Sequence, residues 1–128
     1  MEVAIQKLAI VVFFVIGLSH IVQSRVWAQF FIDLRSKGER GSFINGFINL
    51  NIGALIIGFH NVWHGIPLIL TMMGYAWVLK SVIFFVCPKR GLKAMSRVSL
   101  ARSWEFIVAG VVLVGVGGVL LLSLLSRA

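Results

Sequence analysis

The sequence predicts an all-α membrane protein: four transmembrane helices forming two parallel-oriented helical hairpins, with short amphipathic interfacial helices in the first and third connectors. Three observations carry that expectation. Apolar runs occur near residues 8–22, 43–59, 66–86 and 106–125. Extended to their polar boundaries they give spans at about 4–23, 42–61, 66–87 and 104–125, the length a helix needs to cross a hydrocarbon core of ~30 Å. The first and third connectors are rich in Arg and Lys, whereas the turn between spans two and three holds none. Finally, 59% of the 128 residues are hydrophobic and 12% charged, so a soluble domain of this size would leave too much apolar surface in water.

In span one Lys7 precedes the apolar stretch, which gives it the outline of a signal peptide. No small-x-small cleavage site follows it, and the chain runs on through Gln23, Ser24, Arg25 and Trp27, so a retained span is expected. In the connector at 24–41, Trp27, Phe30, Phe31 and Leu34 recur at helical spacing, with Arg25, Gln29, Asp33 and Arg35 off that stripe. This predicts a cationic amphipathic helix over about 25–36 lying among lipid headgroups. The two glycines of Ser36-Lys37-Gly38-Glu39-Arg40-Gly41 are expected to break it.

Span two ends in the turn His60-Asn61-Val62-Trp63-His64-Gly65, and Pro88 marks the end of span three. In the third connector, Leu92, Met95 and Val98 form a weaker apolar stripe beside Lys93 and Arg97, which predicts a second interfacial helix over about 90–101. Ser103 is placed to cap span four, and Glu105 puts an acidic charge in its first turn.

Orientation follows from counting cations. Arg25, Arg35, Lys37 and Arg40 lie in the first connector, and Lys89, Arg90, Lys93, Arg97 and Arg102 in the third. The positive-inside rule then expects connectors 24–41 and 87–103 in the cytoplasm of a bacterial cell, with the central turn and both termini outside. Lys7 and Arg127 count the other way and are outnumbered. The net charge of +8 is explained by loops flanking spans and by anionic headgroups as partners, not by nucleic acid.

A shift of 64 residues superposes spans one and two on spans three and four, aligning Val22 with Val86, Arg25 with Lys89, Gly46 with Gly110 and Gly53 with Gly117. The chain is expected to be a single membrane domain, 1–128, with a tandem repeat 1–64/65–128 in parallel orientation. This plan of span, Pro-x-Arg/Lys-like step, interfacial segment and Gly-containing span resembles that of small uncharacterised four-span bacterial inner-membrane proteins. Ser24 stands in place of the proline in the first copy. The resemblance implies the four-span fold and carries no functional residue.

Polar residues inside spans cost free energy in lipid and so mark candidate sites. With the expected orientation, His20, Gln23, Asn45, Asn49, Lys80, Ser81 and Glu105 fall in one layer toward the basic connectors, with Asn51 slightly deeper. Such a layer is either structural, its Asn residues bonding between helices for about 0.6–2 kcal/mol each, or a site for a small polar or anionic solute or a proton, with Lys80 paired to Glu105. A second candidate, in the outer turn, comprises His60, Asn61 and His64. The two histidines are four residues apart, a spacing that presents both imidazoles to a metal or haem iron if the helix continues through them. Gly65 and Pro67 argue against that continuation, and His20 is expected roughly 20 Å or more away at 1.5 Å per residue. No cofactor is therefore expected, and the histidines are weak metal candidates. Gly110, Gly115, Gly117 and Gly118 in span four predict a seam where helices approach closely.

No catalytic residues are expected: there is no nucleophile elbow, phosphate loop or HExxH motif, and the one cysteine, Cys87, excludes a CxxC site. The activity class expected is a non-enzymatic protein that associates with lipids or with membrane proteins, as a homo-oligomer or a subunit of a larger complex. Solute, ion or proton permeation is the alternative, and metal or haem binding the second alternative.

Overall fold

The computed structural model describes residues 1–127, and among them every regular element is helical. In order these are α1 (Glu2–Val22), α2 (Ser24–Ser36), α3 (Glu39–Phe59), α4 (Leu68–Val86), α5 (Pro88–Met95), a 3-10 turn at Leu100–Arg102 and α6 (Trp104–Ser126). Four helices, α1, α3, α4 and α6, are long and apolar enough to cross a membrane, so the chain is an all-α membrane protein. Their lipid-facing character is visible in the packing. Val11, Val15, Leu18, Leu79, Val86 and Leu122 are among many large apolar side chains left exposed, a surface that hydrocarbon solvates and water does not.

The spans run antiparallel to their neighbours. Both basic connectors gather at one end of the bundle, where α2 meets α5, and the termini gather at the other with the 60–67 turn. The closely packed pairs are α1 with α6 and α3 with α4, while α1 touches α3 lightly. Two successive hairpins would instead pair α1 with α3 and α4 with α6. Glycines decide the pairing. A Cβ on Gly17 would sit 2.9 Å from the Gly110 carbonyl oxygen, and one on Gly53 would sit 2.8 Å from that of Gly74. Each seam therefore lets one backbone lie directly on another, which gives the contact that lipid cannot supply by hydrophobic drive.

The apolar core lies in the half nearer the turn. Ile5, Ala9, Ile10 and Phe13 of α1 pack there with Ile56, Leu70 and Leu120, flanked by Trp77 and Met73. At the connector end a separate cluster joins Leu34, Phe84 and Met95.

Several boundaries differ from the sequence expectation, each for a physical reason. Gly38 alone breaks the first connector, with φ 70°, whereas Gly41 is inside α3, where its missing Cβ admits the Leu34 carbonyl oxygen. α3 thus starts at Glu39 rather than about 42, and it ends at Phe59. α5 stops at Met95 rather than about 101: from Arg97 the backbone bonds shorten to i−3 turns, Arg97 N–H to Ala94 and Val98 N–H to Met95, and the chain leaves the helix. Ser103 occupies the N-cap position of α6 without a side-chain bond; the capping serine is Ser99, which accepts from Arg102 N–H at 3.3 Å ahead of the 3-10 turn.

Candidate functional site

The expected polar layer occupies separate environments. His20 is half-buried; its Nδ1 donates to the Ile16 carbonyl at 2.8 Å and its ring stacks on Trp27 with centroids 4.2 Å apart. Trp27 in turn donates Nε1–H to Ser19 Oγ at 2.8 Å. Phe31 stacks on Phe106 at 5.7 Å, so α1, α2 and α6 share one aromatic cluster with His20 inside it. Gln23 is exposed at the α1–α2 elbow and lines an open groove of about 340 Å³ with Ser19, Val26, Trp27 and Phe30.

Asn45 and Asn49 are buried on α3. Asn49 Nδ2 donates to both the backbone carbonyl and Oδ1 of Asn45, each at 2.8 Å, so the pair satisfies itself along its own helix. Asn51 is exposed, and Ser81 is buried with its Oγ on the Val78 carbonyl. Lys80 is exposed, its Nζ 5.8 Å from the centre of the Phe84 ring, the posture of a side chain snorkelling along its helix. Glu105, half-buried, begins α6, which scarcely touches α4. Among these residues only Asn45 and Asn49 are hydrogen-bonded to each other.

The turn-end candidates also part company. Because α3 ends at Phe59, His60 and His64 do not share a helix face. His64 and Asn61 are exposed, and Asn61 donates to the Ile57 carbonyl at 2.7 Å. His60 is completely buried. Gln6 Nε2 donates to His60 Nε2 at 3.0 Å, His60 Nδ1 donates to Thr71 Oγ1 at 3.0 Å, and the Thr71 hydroxyl donates to the Val62 carbonyl at 2.8 Å. Both ring nitrogens are thereby engaged by protein. Among the described residues no group of three His, Cys, Asp or Glu side chains is placed to hold a metal ion. Gln6 and Thr71 escaped sequence reasoning. The available signal was that each is an isolated polar residue at the turn end of its apolar run.

The four glycines of α6 divide in two. Gly110 faces Gly17 in close contact, and Gly117 is buried near Phe13 at ordinary distance. Gly115 and Gly118 have nothing within 4 Å of a built Cβ and lie off the seam.

The connector end holds a feature that charge counting missed. Arg35 Nη1 donates to the carbonyls of Met95 at 3.1 Å and Ser96 at 3.2 Å, and also to that of Val98. Met95 and Ser96 close α5 and Val98 follows them. The Met95 carbonyl also accepts from Val98 N–H at 3.1 Å. The guanidinium Nη1 has two hydrogens to share among the three, and it gathers the carbonyls just where the helix ends. One guanidinium thus caps α5 from α2 and locks the two connectors together. Nearby, Ser42 Oγ donates to the Phe84 carbonyl at 2.9 Å, and a Cβ on Gly91 would meet both Ser42 Oγ and the Phe84 ring. The remaining connector cations, Arg25, Lys37, Arg40, Lys89, Arg90, Lys93, Arg97 and Arg102, are all exposed.

No protein-family model, curated protein or solved structure matches the chain.

Proposed function

We propose that this chain is a non-enzymatic protein of the bacterial cytoplasmic membrane that acts by association, engaging anionic lipid headgroups through its connector platform. The observation that carries this reading is the division of labour among the connector cations: Arg35 is used to hold α2 and α5 together, and the other eight are left exposed. Each basic side chain close to an anionic surface contributes about 1 kcal/mol, and a braced platform presents them together without paying to order the loops afterwards. The positive-inside rule supports placing that platform in the cytoplasm. Association with further membrane proteins, or with copies of itself, belongs to the same reading, because the bundle presents apolar flanks all round.

Permeation has less support from the geometry: Lys80 points away from the bundle, and Asn45 and Asn49 bond to each other rather than to a shared cavity. The test is native mass spectrometry of the purified protein in an equimolar mixture of phosphatidylglycerol and phosphatidylcholine. Phosphatidylglycerol adducts are expected to dominate, and replacing Lys89, Arg90, Lys93 and Arg97 together by Gln is expected to remove the preference. Equal adducts of the two lipids in the unaltered protein would overturn the reading, and the same spectra report the oligomeric mass.

A further inference from the structure

We propose that His60 is a proton-responsive clasp, joining α1 to the α3–α4 pair and using the Gln6 side chain as its partner in both charge states. His60 sits just beyond the last residue of α3, at the end of the bundle opposite the connectors. The polarity of its hydrogen bonds follows from which way round the Gln6 amide lies. An amide nitrogen only donates, so His60 Nε2 accepts from Gln6 Nε2 and the ring proton must reside on Nδ1. That proton goes to Thr71 Oγ1, whose own hydroxyl proton goes to the Val62 carbonyl. With the amide this way round, the imidazole is neutral with its proton on Nδ1, held in a one-way chain of donors.

This arrangement leaves one atom over. Gln6 is 1% exposed, and its Oε1 is the single buried side-chain polar atom without a partner among the described residues. Such atoms are rare in folded proteins and call for an explanation. Turning the amide over would bring Oε1 to the imidazole, but it would gain a bond only if Nε2 carried a hydrogen. Protonation of His60 supplies that hydrogen, and the turned amide then leaves Gln6 Nε2 over in place of Oε1. The imidazolium donates from Nδ1 to Thr71 and from Nε2 to Gln6 Oε1. No other side chain has to change partner.

Burial opposes a charge here and holds the His60 imidazole below the ordinary histidine range. Against that burial, the backbone hydrogen bond at His60 and then Glu2, one turn before Gln6 on α1, favour the charged form without reversing the shift. The next cation along α1, Lys7, is exposed. The facing stretches, 42–59 of α3 and 68–79 of α4, contain no charged residue. Tyr75, His64 and, at the end of α6, Arg127 are exposed, and the eight platform cations lie at the other end.

The site also sits where a change of bonding matters. α1 and α3 touch lightly, so the Gln6–His60 bond is a principal polar tie between the two packed helix pairs at this end. Neutral His60 holds α1 with one amide proton and an orphaned oxygen nearby. Charged His60 holds it with a charge-assisted bond to Gln6 Oε1, but the charge is buried and Gln6 Nε2 is left over instead, so acidification loosens the tie.

The experiment is side-chain 15N NMR of uniformly labelled protein in detergent micelles, followed from about pH 8 to about pH 4, across and below the usual histidine range near 6.5. Single His→Gln variants at 20, 60 and 64 assign the signals. At the alkaline end His60 is expected as the Nδ1–H tautomer, and on acidification as imidazolium with the amide dispersion of the fold retained. Gln6→Leu removes the acceptor and is expected to lower the His60 midpoint by about one pH unit, while Gln6→Glu raises it by about as much. Either of two results overturns the proposal: an Nε2–H tautomer at alkaline pH, or a His60 that titrates only as the fold is lost. An identical midpoint in Gln6→Leu and Gln6→Glu also does so. If both variants fail to fold, the tautomer and titration of the unaltered protein decide alone.

Discussion

Replacing Gly110 by Ala adds one methyl group where α1 and α6 meet. The new Cβ would sit 2.8 Å from Ile21 Cγ1 and 2.9 Å from His20 Cβ, and against the Gly17 carbonyl oxygen. Carbon atoms in favourable contact stand about 3.5–4.0 Å apart, so the helices must separate locally by roughly 0.5–1 Å. Overpacking of this kind costs about 1–3 kcal/mol, equivalent to roughly a 5–150-fold change in the folding equilibrium. Gly115→Ala is the internal control on the same helix: nothing lies within 4 Å of its built Cβ. It is expected to be neutral, or stabilising by up to about 1 kcal/mol through helix propensity. The assay is equilibrium unfolding in mixed micelles of rising dodecyl sulfate content, followed by tryptophan fluorescence and circular dichroism. Gly17→Ala should resemble Gly110→Ala, and the double variant should cost less than their sum, because both side chains crowd one contact. Equal stability of the Gly110 and Gly115 variants would refute the assignment of the seam.

Other outcomes follow from the same geometry. Arg35→Met removes the bonds that cap α5, each worth about 1.5–3 kcal/mol where a charged donor is shielded and less where water competes. Hydrogen exchange is expected to rise across 95–102 with the spans unchanged, and unchanged exchange there would show that Arg35 braces nothing. Cys87 is exposed at the connector end and is the sole thiol. A membrane-impermeant maleimide should therefore label it only after the cytoplasmic membrane is opened, and labelling of intact spheroplasts would reverse the orientation. Asn49→Leu breaks the buried bonds to Asn45 and is expected to cost about 0.6–2 kcal/mol in the unfolding assay. Lys80→Ala, in contrast, is expected to change stability by less than about 0.5 kcal/mol, as exposed substitutions generally do; a larger loss would mean that Lys80 has a partner inside the bundle.

The spans were legible because hydropathy is a local property: the helices at 2–22, 39–59, 68–86 and 104–126 lie within about three residues of the expected boundaries. The stripe Trp27, Phe30, Phe31, Leu34 was legible for the same reason, and α2 forms over 24–36. Its destination was not. Ala28 and Leu34 are buried and Phe31 stacks on Phe106, so part of that face packs on protein rather than on lipid. Sorting polar residues by depth put His20, Asn45 and Lys80 in one layer, yet depth says nothing of direction around each helix axis. Lys80 faces outward, His20 joins the α1–α2–α6 aromatics, and Asn45 turns to Asn49. In the same way, four glycines on span four read together as one seam, until a partner helix distinguished Gly110 from Gly115 and Gly118.

By itself the sequence determined that this protein is helical, crosses a membrane four times and concentrates its positive charge in two connectors. Those properties depend on what each short stretch does with lipid or water, and a stretch carries that information alone. Only the tertiary structure decided that α1 lies on α6 and α3 on α4, that Arg35 is withdrawn from the basic platform to hold it together, and that Gln6 and Thr71 enclose His60. The physical reason is that lipid solvates every apolar helix face about equally well. Which faces meet is therefore set by close backbone contact and by the pairing of buried polar atoms, and both depend on residues far apart in the chain.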